Sequence, residues 1–131
     1  MQRVWLVLGA VSGLISVALS ALAAHALAPA ARTLVQEGLA MQFPHALALL
    51  AVGLWASRGG RLADAAGASF ALGTVLFCGE LYFHAATGIA LGVVAPIGGT
   101  MLMAGWLLLA LSASRRLPGE AGHPQHDQRR Q

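Results

Sequence analysis

The chain has 131 residues, 57% of them hydrophobic and only 10% charged, with a formal net charge of +3. Ordinary soluble domains carry about 25% charged residues, so this composition excludes a water-soluble globule and points to one integral membrane domain. All eight basic residues are arginines; they stand at segment ends, which fits topology signals and excludes a nucleic-acid surface.

A membrane-crossing helix needs about 20 apolar residues at about 1.5 Å rise each. Four stretches qualify, 4–24, 39–57, 65–87 and 93–113, and they predict an all-α, antiparallel four-helix bundle. The first follows Arg3 and passes through Ala21-Leu22-Ala23, which resembles a cleavage site. Its apolar run of about 20 residues exceeds the 7 to 15 of a signal peptide, so retention as a helix is expected. Ser12, Ser16, Ser20 and Ala24 form a stripe at four-residue spacing, and Gly9 with Gly13 makes a GxxxG on the adjoining face. Small residues of this kind let helices approach closely, within the bundle or in a homo-oligomer.

The connection 25–38 contains Pro29, Arg32 and Glu37 beside Leu34 and Val35, which fits an interfacial helix or an extension of the second helix. Within that helix, Pro44 predicts a bend just before His45. Arg58-Gly59-Gly60-Arg61 reads as a short turn that makes the second and third helices an antiparallel hairpin. Gly88 to Gly92 form an uncharged loop, and Pro96 suits the first turn of the fourth helix. The segment 115–131 is polar, with Pro118, Gly119, Gly122 and Pro124, and is expected to be disordered. Arg3, Arg58, Arg61, Arg115 and Arg116 fall on one side of four crossings and Arg32 alone on the other. By the positive-inside rule both termini are then cytoplasmic, with Trp5 and Trp55 near that interface.

Glu80 and His84 lie one helical turn apart inside an apolar run. Ionisable groups at membrane depth are costly and mark sites by default. Counting at about 1.5 Å per residue puts His45 roughly 18 Å, Gln42 and Glu80 roughly 22 Å and His84 roughly 28 Å above the cytoplasmic boundary. His25 closes the first helix at the opposite interface. Five polar side chains, His25, Gln42, His45, Glu80 and His84, are therefore expected in the outer half of the bundle. The i to i+4 spacing suits a local charge-assisted bond between Glu80 and His84, and a carboxyl kept protonated by desolvation would instead bond to Gln42. His45 needs a partner, whether His25, Glu80 or a backbone carbonyl, because an unpaired imidazole in hydrocarbon costs several kcal/mol. His25 suits the negative end of the first helix, whereas His123 and His126 are tail residues. By residue type, His25, His45, His84 and Glu80 could also ligate a metal or haem or line a proton path. They have no recognised ligand spacing, so no cofactor is expected. Cys78 is the lone cysteine, which excludes an internal disulfide. No nucleophile with a positioned base is evident, so a non-enzymatic protein is expected.

Four groups of residues carry a resemblance: Ala24-His25-Ala26-Leu27; Gln42-Phe43-Pro44-His45 followed by Ala46-Leu47-Ala48-Leu49-Leu50; Leu76-Phe77-Cys78-Gly79 with Leu81-Tyr82; and Pro96-Ile97-Gly98-Gly99 followed by Gly105-Trp106. In this order and at these separations the chain resembles the YgdD-like family of small bacterial inner-membrane proteins, also called domain of unknown function 423, from about Leu8 to Leu111. The resemblance implies a four-helix multi-pass protein without an established activity. It gives weight to His25, His45, Tyr82 and the Pro96-Gly98-Gly99 turn. Glu80 stands where the family usually has a small residue, Pro44 where it has an aromatic or hydrophobic one, and His84 lies outside the motif.

Overall fold

The computed structural model describes residues 1–115, and among these all regular structure is helical. The polar tail expected to be disordered, with Arg116, His123 and His126, lies outside the described residues. Three helices are present where four were expected: α1 (Gln2–His25), α2 (Pro29–Thr87) and α3 (Val94–Ser114). All three are long and apolar enough to cross a membrane.

The difference lies in α2, which absorbs the second and third expected helices and the segment before them. Pro29 opens it at a first-turn position after an extended Ala28 (φ −61°, ψ 153°), where a missing N–H costs nothing. The segment after Pro29 is thus an extension of the second helix, and it packs inward through Val35 and Gly38. Pro44 sits inside the helix without departing from helical angles; the residue that does depart is Gly60, at φ 60° and ψ −146°. That conformation is one only glycine adopts readily. A straight helix would separate residues 42 and 82 by about 60 Å, yet the Tyr82 hydroxyl reaches Gln42 Oε1 at 2.6 Å. Helix α2 therefore folds back on itself at Gly60 into two arms, 29–59 and 61–87.

Helix α2 ends on Gly88, whose left-handed backbone (φ 74°, ψ 4°) caps it while its N–H donates to the His84 carbonyl at 2.8 Å. A short loop leads to α3, with Pro96 in its first turn. Helices α1 and α3 each pack on α2 and not on each other. The core draws on every segment: Trp5 of α1, Leu49 and Val52 of the first arm, Ala66 and Phe70 of the second, and Leu102 of α3. Close approach depends on small residues. A Cβ at Gly98 would stand 2.5 Å from Phe77 N and 2.9 Å from the Gly73 carbonyl oxygen, so α3 meets the second arm backbone to backbone. On α1, Gly9 faces Ala46 and Leu50, whereas Gly13 has nothing within 4 Å. Ser16 is buried and Ser20 exposed, so the buried face of α1 runs through Trp5, Gly9, Ser16 and Ala23 and leaves the serine stripe at its third member. Large apolar side chains such as Leu14, Val17, Leu54, Val75 and Leu107 point outward, a surface suited to hydrocarbon rather than water.

Candidate functional site

The polar side chains inside the bundle form two separate groups, one on each side of the folded α2. Between α1 and α2, Gln42 is buried at 4% exposure, and both ends of its amide are used. Its Oε1 accepts from Tyr82, and its Nε2 donates to the Ser12 carbonyl at 3.0 Å and more weakly to Ser12 Oγ at 3.4 Å. One side chain thereby ties together α1 and both arms. Beside it the Cys78 thiol donates to the Gly38 carbonyl at 3.3 Å, a second link between the arms. An amide in hydrocarbon must find partners, and this geometry satisfies it.

On the α3 side, His45 is buried, with Nδ1 2.7 Å from the Met41 carbonyl oxygen and Nε2 accepting from Trp106 Nε1 at 3.1 Å. A carbonyl only accepts and an indole N–H only donates. The imidazole is therefore neutral, with its proton on Nδ1. Phe70 packs against both rings, with centroids 5.6 Å from His45 and 5.1 Å from Trp106. Of the partners expected for His45, the backbone carbonyl is the one present, joined by Trp106.

Glu80 is 8% exposed and its Oε1 accepts from the backbone N–H of Leu91 at 3.0 Å. Two expectations are corrected: Glu80 bonds neither His84 nor Gln42, because the loop before α3 offers it an orphan N–H, while Gln42 bonds Tyr82 and Ser12. His84 is half-buried in the last turn of α2, and His25 is exposed in the last turn of α1. The five polar residues thus divide among an α1-side group, an α3-side group and the loop end. Among the described residues no three His, Cys, Asp or Glu side chains come together as metal ligands. Of the motif positions, Tyr82, Gly98 and Trp106 make the contacts described, a Cβ at Gly99 would stand 3.7 Å from the Phe77 ring, an ordinary contact, and Pro96 is exposed.

At the opposite end, Trp5 Nε1 donates to Asp64 Oδ1 at 2.7 Å and Trp55 Nε1 to Ser112 Oγ at 3.1 Å. Asp64 is not among the polar residues expected to form a site. The only signal was an acidic residue at the mouth of an apolar run, at the depth of a tryptophan on another helix. Each of the three indoles thus bridges two helices.

A groove of about 330 Å³ opens beside the first group, between α1 and the second arm, with Ser12, Gln42, Thr74 and Tyr82 among its lining residues. It contains no charged side chain.

Known proteins similar to this chain are membrane proteins. The family described as DUF423, protein of unknown function, matches residues 19–99. A UPF0382 membrane protein of Haemophilus influenzae is 39% identical over 84% of this chain and 93% of its own length. The UPF0382 inner membrane protein YgdD of Escherichia coli is 38% identical over 87% of this chain and 92% of its own. A UPF0382 membrane protein of Staphylococcus epidermidis is 32% identical over 85% and 95%. No solved structure matches the chain. With the match covering most of its helical part, this chain belongs to the DUF423 (UPF0382) family of membrane proteins of unknown function.

Proposed function

We propose that this protein is a non-enzymatic, multi-pass protein of the bacterial inner membrane that crosses the bilayer four times, with both termini cytoplasmic. The observation that carries the reading is the fold-back of α2 at Gly60, which brings Tyr82 onto Gln42. At about 1.5 Å per residue each arm exceeds the roughly 30 Å of hydrocarbon, so each is long enough for its own crossing. Arg3, Arg58, Arg61 and Arg115 gather at the end that holds the Gly60 turn, and Arg32 stands at the other, which supports a cytoplasmic turn. The inner-membrane name of the Escherichia coli relative supports the compartment.

A structural role for Gln42, His45 and Ser112 is supported by how their bonds are used. The hydroxyls of Ser16, Ser112 and Ser114, like those of Thr33, Thr87 and Thr100, donate to carbonyls of their own helices, which leaves none of them to a catalytic base. Both ring nitrogens of His45 are engaged, and the two polar groups lie on opposite sides of α2. This pattern favours neither haem ligation nor a continuous proton path. Reporter fusions at Arg115, in the Gly60 turn and in the loop after Gly88 test the reading. The first two should report the cytoplasm and the third the far side. A periplasmic signal at Arg115 would overturn the orientation, and opposite sides for Arg115 and the N-terminus would overturn the four crossings.

A further inference from the structure

The loop between α2 and α3 stands at an end of the bundle, where a chain that crosses the bilayer meets water, yet it carries no charge. No Asp, Glu, Lys or Arg occurs between Glu80 and Arg115. Its large side chains point outward: Ile89 is 59% exposed, Leu91 43% and Val93 70%, and Ile97, one helical turn beyond Val93, is 51% exposed. A contiguous apolar surface of this kind marks a contact with protein or with membrane.

Depth and backbone bonding favour the membrane. Helix α3 has 21 residues, about 30 Å at about 1.5 Å each, which matches a hydrocarbon core of about 30 Å. With Arg115 at one boundary of that core, the start of α3 comes at the other. Leu91 belongs to that level, since its carbonyl accepts from the Val94 N–H at 3.4 Å. The second arm of α2, residues 61–87, is about 40 Å long and overshoots the core by about 10 Å. The chain must therefore descend before α3 begins, and Glu80 holds it down. That residue lies about 10 Å short of Thr87 along the helix, and its Oε1 takes the Leu91 N–H at 3.0 Å. Other donors of the loop are also met from within the protein, the Gly88 N–H by the His84 carbonyl and the Ile89 N–H by Thr87 Oγ1 at 3.2 Å. Backbone removed from water has to be satisfied in this way, whereas a loop in water has no such need.

We propose that residues 89–93 are seated in the lipid of the far-side leaflet, at the boundary between headgroups and acyl chains, with Glu80 as the anchor that draws Leu91 down to that level. The assignment rests on the four-crossing reading, which brings the end of α2 and the start of α3 to one membrane surface.

The test uses the full chain in phosphatidylcholine nanodiscs, with Cys78→Ser to remove the native thiol. A nitroxide is attached at Ile89→Cys, Leu91→Cys or Val93→Cys in turn, and its relaxation by oxygen, which concentrates in lipid, is compared with that by a water-soluble nickel chelate. Arg58→Cys in the exposed Gly60 turn gives the aqueous reference and Leu107→Cys on the outer face of α3 the lipid reference. The expected result is loss of nickel access at Leu91 and Val93 with oxygen access kept, and an intermediate reading at Ile89. Glu80→Gln retains a carbonyl acceptor and should leave the Leu91 reading unchanged, whereas Glu80→Ala should raise nickel access there. Nickel access at Leu91 and Val93 equal to that at Arg58 would overturn the proposal. Exclusion of both reagents would overturn it as well, because a second copy of the chain or another protein would then cover the loop. The readings with Glu80 in place decide the seating whether or not Glu80→Ala folds, and an unchanged Leu91 reading in folded Glu80→Ala would remove the anchor. Reporter fusions read orientation and the nitroxides read depth, so a failed topology and a failed seating are distinguishable.

Discussion

Tyr82 and Gln42 lie 40 residues apart on the same helical element, and their side chains are joined by a hydrogen bond of 2.6 Å. The bond closes the α2 hairpin, and the far end of the Gln42 amide then holds α1. Polar contacts between membrane helices average about 0.6 kcal/mol, with a maximum near 1.7. Tyr82→Phe should therefore lower stability by about 1 kcal/mol, and Gln42→Leu by more, since it also strands the phenol. Reversible unfolding in detergent, run as a double-mutant cycle, checks this; additive effects of the two changes would argue against direct coupling.

Gly98 and Gly79 make a matched pair. A methyl group at Gly98 would collide with the backbone of Phe77 and Gly73, whereas at Gly79 it meets open space. Gly98→Ala should cost about 1 to 3 kcal/mol through forced separation of α3 from the second arm. Gly79→Ala should be neutral or mildly stabilising, because alanine is the better helix former by about 1 kcal/mol. Melting temperatures of the two variants side by side give the comparison, and equal losses would show that the contact at Gly98 is not limiting.

Gly60 has a conformation that other residues adopt only with strain. Gly60→Ala should destabilise the fold by about 1 to 3 kcal/mol. The neighbouring Arg61→Ala should change stability by no more than about 0.5 kcal/mol, as exposed substitutions usually do. Thermal unfolding of both variants checks the assignment of the turn to a single residue.

The partners of His45 require a neutral ring protonated at Nδ1. Nitrogen-15 spectra of histidine-labelled protein in bilayers should show this tautomer for His45. In Trp106→Phe the Nε2 resonance should move, because its donor is gone, while the Nδ1 signal stays hydrogen-bonded to the Met41 carbonyl. A wild-type signal from the Nε2-protonated tautomer would contradict the geometry.

Much of the fold was legible because a bilayer imposes simple arithmetic. Apolar length marked where helices run, the two glycines between Arg58 and Arg61 marked the reversal, and Pro96 and Gly88 marked helix ends. The single α2 element was not legible, since a turn needing only one non-helical residue leaves the helical hydrogen-bond pattern nearly unbroken on both sides. Gln42 and His45 stood out as polar residues in apolar surroundings, but their partners did not. Which face of a helix meets which neighbour depends on how all the segments rotate together, and residue spacing constrains only neighbours on one helix. The local pairing of Glu80 with His84 failed for this reason, as the Leu91 N–H arrives from another part of the chain.

The amino-acid sequence by itself determined that this is a membrane-embedded helical protein, where its chain reverses and which polar residues must be accommodated in hydrocarbon. Only the tertiary structure decided that Gln42 answers Tyr82 and Ser12 while His45 answers Trp106. Depth along a helix follows from counting residues, but contact across the bundle follows from close packing at glycines such as Gly9, Gly73 and Gly98, which sets the rotation and separation of every helix at once.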